Sequence, residues 1–117
     1  MTIKFICYPK CSTCRDTKKY LEEKGLTLDY QDIKQDPPTV EELKVIHELS
    51  GLPIKSLFNT SGNSYRALNL KETFDSYSNE ELYSLLSKDG MLIKRPIIQS
   101  KDKVIIGFKK EQIDEAF

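Results

Sequence analysis

Two cysteines separated by two residues, Cys11 and Cys14, stand where a strand-like run gives way to a helix-like run, and this placement narrows the fold more than any other feature. Residues 2–7, TIKFIC, put Ile3, Phe5 and Cys7 on one parity and Lys4 and Ile6 on the other, the pattern of a short strand buried chiefly on one face. Pro9 ends it. Ser12 or Cys11 then opens a run of good helix formers from Thr13 to Lys24, with Thr17, Tyr20 and Leu21 on one face, and Gly25 closes it. Residues 26–33, LTLDYQDI, alternate again and read as a second strand parallel to the first. Strand, helix and strand in about 30 residues make a βαβ unit.

The first cysteine of the pair then sits at a helix N-terminus, where free backbone N–H groups and the positive end of the dipole stabilise a thiolate. The second follows within the first turn, so that its thiol reaches the first sulfur without backbone movement. One thiol can attack and the other resolve. A zinc site built from Cys7, Cys11, Cys14 and His47 is an alternative, as is a pair of inert, packed thiols. Cys7 shares parity with Ile3 and Phe5 and belongs to the core on this reading, and His47 is given no role.

Charge supports a reactive pair. The 117 residues carry 18 Lys and Arg against 18 Asp and Glu, but residues 1–25 hold six basic and three acidic groups and residues 26–50 two and six. The cysteine segment is locally positive, with Lys10 and Arg15 flanking the pair, and positive surroundings favour thiolate. A balanced total does not suit a binder of the phosphate backbone, so direct nucleic-acid binding is not expected. Apolar runs stop at three to four residues, against about 20 for a membrane span, and the N-terminus shows no secretory pattern. A cytoplasmic, membrane-free monomer is the expectation, and three clustered cysteines make a poor disulfide framework in that reducing compartment.

Beyond the βαβ unit, Thr39 and Glu42 form a capping box after Pro37-Pro38 and start a helix that runs to Ser50 and stops at Gly51. A short helical turn, a polar loop at 59–64 and a second short helix follow, and Ser78 opens a helix ending near Asp89-Gly90. Lys94-Arg95-Pro96 then leads into a strand, Ser100–Lys103 turns, Val104–Phe108 returns as its hairpin partner, and 109–117 is long enough for a last helix. Proline at the start of a strand marks an edge or a cis bond. If that loop faces the cysteines, Arg95 aims a planar five-donor group at whatever Cys11 attacks.

YPKCSTCRDTKKYLEEKG at 8–25, DPPTVEEL at 36–43, NTSG…YRAL at 59–68, MLIKRPII at 91–98 and GF at 107–108 together resemble the arsenate reductase/Spx family, over essentially the whole chain. The resemblance implies an α/β, thioredoxin-like (glutaredoxin-type) mixed sheet: a thioredoxin-like part at 1–34 and 91–117, with a helical insert at 35–90. It further implies a nucleophile at Cys11, an anion-contacting arginine at Arg95 and a cis proline at Pro96. Glutaredoxin-coupled arsenate reductases carry two more arginines, and the matching positions here, Asn59–Ser61 and Gly107, are not basic. Each missing charge-assisted donor pair forfeits on the order of 1.5–3 kcal/mol of oxyanion binding. Cys14 instead makes the chain similar to the Spx-like branch, whose C-x-x-C toggles between dithiol and disulfide and whose founding members bind RNA polymerase.

Three functions are thereby expected in order. The first is a thiol–disulfide oxidoreductase with Cys11 as nucleophile, Cys14 as resolving thiol and Ser12, Arg15, Arg95 and Pro96 around the substrate. That substrate is glutathione-like, an oxyanion or a protein disulfide, and glutathione or a thioredoxin/glutaredoxin system is the reductant, with no metal or cofactor. The second is a redox-sensing regulator that docks on RNA polymerase. The third is an interaction module with idle cysteines. The short stretch ELSGLPIKSLFN at 48–59 resembles the reductase branch.

Overall fold

Alternation in the first strand decides how the sheet is covered. A computed structural model describes residues 2–117, and in it β1 (Thr2–Cys7) is central: β2 (Thr27–Asp32) pairs parallel to it, with Thr2 opposite Thr27 and Cys7 opposite Asp32. On its other side β3 (Ile97–Gln99) runs antiparallel, Phe5 opposite Ile98, and β4 (Val104–Ile106) runs antiparallel to β3, for an order β2-β1-β3-β4. Ile3, Phe5 and Cys7 point to one face and pack with Cys14 and Leu21 of α1 (Ser12–Glu23) and Ile113 of the C-terminal helix. Ile6, with Ile97 and Ile106, points to the other. This is the mixed sheet of the thioredoxin-like fold.

The second face is covered by the chain between β2 and β3. It holds α2 (Val40–Ser50), α3 (Asn63–Ala67), α4 (Leu70–Thr73) and α5 (Asn79–Lys88), with one 3-10 turn between α2 and α3 and another between α4 and α5; α6 (Lys110–Ala116) is the last helix. Two of these helices start on reciprocal caps. The Thr39 and Ser78 hydroxyls each accept from the backbone N–H of the glutamate three residues on at 3.2 Å, and Glu42 and Glu81 each accept from the cap's own N–H at 3.0 Å. Leu43 and Ile46 of α2 meet Leu82 and Leu86 of α5 in the larger of two core clusters, which also takes Phe58 and Phe74 edge to face at 5.2 Å.

The structure differs from the sequence reading at two places. Residues 70–76 form α4 and a 3-10 turn (Phe74–Ser76) where no element is expected, each burying one anchor, Leu70 and Phe74. The hairpin's second strand stops at Ile106 rather than Phe108 because Gly107 takes φ +90°, a backbone conformation that leaves the strand and donates its N–H to the Pro96 carbonyl at 2.8 Å. Gly90 is fixed by space instead: a Cβ there would overlap the carbonyl of Ile33, where the chain leaves β2.

Candidate active site

Pro9 and Lys10 form the turn that carries the chain from β1 into α1, and Cys11 lands on the cap position with extended backbone (φ −84°, ψ 122°). Its N–H donates to the Tyr8 carbonyl at 3.0 Å and its carbonyl accepts from Arg15 at 3.1 Å, so the backbone around the thiol is tied from both sides. The side chain is partly exposed. Burial pushes its pKa up, but the backbone N–H of Cys14, the Cys14 thiol, the Arg95 guanidinium and the backbone N–H of Thr13 outweigh it and hold the thiol below its usual 9.0. Four donors around the start of α1 favour the thiolate form of Cys11, the one partly exposed thiol of the three.

Arg95 is positioned by what surrounds it. Nη1 donates to the Met91 carbonyl at 3.3 Å, the guanidinium carbon lies 5.6 Å from the centre of the Tyr8 ring, and the following peptide, Arg95–Pro96, is cis. Of the other residues expected at the site, Pro96 is buried at the start of β3, and Ser12 is exposed as the first residue of α1. Arg15 is not beside Arg95. One helical step past Cys14, it lines a separate recess with Lys18, Pro9, Phe5, Cys7, Cys14 and Tyr30.

A groove of about 540 Å³ is lined by two of the residues that donate to Cys11, Thr13 and Arg95, though not by Cys11 itself. Lys55, Lys94, Arg95 and Lys109 line it, Phe58 and Phe108 give it apolar wall, and no carboxylate is among its lining residues. Lys94 stands out in the sequence only at the strand entry beside Arg95, and its convergence with Lys55 and Lys109 is not visible there because the three lie on separate segments. They surround the region where the resemblance leaves Asn59–Ser61 and Gly107 without arginine, and Gly107 itself lines the groove.

Cys7 also has a second aspect that parity alone does not reveal. It is 1% exposed, as the core reading requires, and its thiol accepts a side-chain hydrogen bond from Cys14, which is equally buried. That bond, backed by the Tyr30 hydroxyl, outweighs burial and holds Cys7 below the usual thiol value. Donating to Cys7, together with burial, holds Cys14 far above it. All three thiols are free. His47 is remote from them in the other core cluster, its Nδ1 2.6 Å from the Tyr83 hydroxyl between α2 and α5. Among the described residues no three His, Cys, Asp or Glu side chains are arranged to hold a metal ion, and no helix is long and apolar enough to cross a membrane.

Known proteins are similar to this chain along its length. The chain is 50% identical to the protein YusI of Bacillus subtilis over 115 residues, 98% of each. It is 27% identical to the global transcriptional regulator Spx of Staphylococcus aureus, over 90% of this chain and 79% of Spx. The arsenate reductase from Vibrio cholerae superposes with a TM-score of 0.90 at 28% identity, covering 100% of this chain and 98% of that one. A family model described as the ArsC family matches residues 7–116. From the cap cysteine to the last helix, the chain belongs to the ArsC family.

Proposed function

We propose that the protein is a thiol–disulfide oxidoreductase acting on small disulfides that carry carboxylates, of the glutathione type. The observation that carries this reading is that Arg95 and Thr13, which hold the Cys11 pKa below its usual value, also line a groove with four cations and no carboxylate. The Cys11 thiolate attacks one sulfur of the substrate disulfide, and the other leaves as a thiolate that the cationic groove stabilises. Cys14 then displaces the remaining half, forming the Cys11–Cys14 disulfide, and a dithiol of the thioredoxin or glutaredoxin class returns both cysteines to thiols. Arg95 holds an anionic group of the substrate and Pro96 shapes the loop that presents it. Likeness to Spx favours a second reading, in which the same pair switches docking on RNA polymerase.

The test is turnover of oxidised glutathione against the uncharged hydroxyethyl disulfide. Reversing one groove charge in Lys94→Glu removes an attraction and adds a repulsion, each about 0.5 kcal/mol at an exposed site, so KM for oxidised glutathione rises about fivefold. KM for hydroxyethyl disulfide stays put. Equal changes for both substrates, or no turnover by a protein with intact Cys11, sink the reading. Redox-dependent recovery of RNA polymerase would transfer the weight to the regulator.

A further inference from the structure

The recess on α1 contains the nucleophilic group that the scheme above leaves unused. We propose that Cys7 is a third redox thiol of this site and that the disulfide made between Cys11 and Cys14 passes on to Cys14 and Cys7. This rests on the oxidoreductase reading and extends it.

Connectivity among the sulfurs carries the argument. Cys7 and Cys14 pack in one core cluster with Cys11 against it, Cys14 lies three residues after Cys11 in the first turn of α1, and the single Cys14 proton can be donated to either neighbour. Cys7 ends the central strand, Cys14 lies in the first turn of α1, and the same recess is walled by both, so their approach is set by the packing of α1 on the sheet. That recess shares no lining residue with the cationic groove. Cys14 is therefore the middle thiol of three, with a solvent-facing neighbour and a core neighbour.

The transfer balances without any external oxidant. Once a substrate disulfide has oxidised the outer pair, Cys7 gives up its proton and attacks the Cys14 sulfur; the Cys11–Cys14 bond breaks, a Cys7–Cys14 bond forms, Cys11 departs with the electron pair as a thiolate, and the proton passes to solvent. One disulfide is exchanged for another, and no net electrons move. Cys11 is the better leaving group because Arg95 and the helix N-terminus stabilise its thiolate. The new disulfide is enclosed, both of its cysteines being 1% exposed, while Cys11 is again free. An oxidised molecule thus retains a reactive surface thiol.

Tryptic cleavage separates the two disulfides cleanly. Cys7 falls in FICYPK (5–10), and Cys11 and Cys14 share CSTCR (11–15). The full chain is oxidised with one equivalent of oxidised glutathione, quenched by alkylation in time steps and mapped without reduction by mass spectrometry. The expected result is early looped CSTCR that gives way, severalfold, to cross-linked FICYPK–CSTCR with Cys11 alkylated. A Cys7→Ser chain stops at the loop and its Cys11 resists alkylation. Wild-type protein that keeps only the looped peptide, with Cys7 alkylated, overturns the relay and leaves the oxidoreductase reading intact. A cross-link from Cys7 to Cys11 also overturns the relay. Absence of any disulfide at Cys11 or Cys14 overturns both. The decisive mapping is done on wild-type protein, so instability of the serine variant cannot decide it.

Discussion

Replacing Arg95 by methionine keeps an unbranched stem against Tyr8 and removes the guanidinium that donates to Cys11. A hydrogen bond to a charged group contributes about 1.5–3 kcal/mol, and because Cys11 is partly exposed, water replaces part of it, leaving a loss of about 1 kcal/mol. That raises the Cys11 pKa, because the thiolate loses about 1 kcal/mol relative to the thiol. Well below the midpoint the thiolate fraction falls about fivefold. A more basic thiolate is also a better nucleophile, by about twofold for this shift at a Brønsted slope of about 0.45. The two effects oppose each other at low pH and only the second survives at high pH. Alkylation of Cys11 by iodoacetamide, followed from about pH 5 to 10, therefore slows about 2.5-fold at the acid end, quickens about twofold at the alkaline end, and the two rate profiles cross. Arg95→Lys falls between them. Profiles that run parallel, or a variant that is faster in acid, would refute the assignment of Arg95 to the thiolate.

Two further outcomes test the packing around the site. Gly90→Ala drives a methyl group into the Ile33 carbonyl, a backbone overlap that side-chain rotation cannot relieve; a cost of about 3 kcal/mol lowers Tm by about 12 °C, and a drop under about 3 °C in thermal unfolding would contradict the geometry. Glu42 lies below the usual carboxylate value of 4.5, because Lys4 Nζ donates to it at 2.7 Å and the Thr39 N–H adds to this against burial. A depressed carboxylate contributes stability that is complete above 4.5 and is lost as pH falls through its folded value. Lys4→Met therefore lowers Tm by about 2 °C at pH 7 and leaves it almost unchanged near pH 2.5; an equal loss at both would assign the effect to packing of the lysine stem.

The βαβ unit was legible because its signals are local: period-two alternation in 2–7, Pro9, a helix closed by Gly25, and a second alternating run. The capping box at Thr39 was equally local, and Ser78 marked its helix start. Residues 70–76 were not legible, since α4 and the turn after it bury a single anchor each and show no period. At the site, the spacing of Cys11 and Cys14 was sufficient to place one at the start of α1 and the other in its first turn. The meeting of Cys7 with Cys14 was not, because parity fixes the face of the sheet but not which helical side chain lies over it. Arg15 shows the same limit from the other direction: next to Cys14 in sequence, it turns about 100° around the helix and joins the recess rather than the groove. Lys55, Lys94 and Lys109 become one feature only when three distant segments converge.

The overlap that forbids a side chain at Gly90 also means that the chain returns from its long excursion to the place where it left, beside Ile33. Residues 34–89 start and finish at one point of the sheet, so their length and surface are free to change across descendants while the thiols stay in register on β1 and α1. Yet this excursion supplies Lys55 and Phe58 to the groove, whereas the nucleophile and Arg95 lie outside it. Changes within residues 34–89 can thus reshape one wall of the groove while the opposite wall, with Lys94, Arg95 and Lys109, and the three cysteines stay where the sheet and α1 hold them.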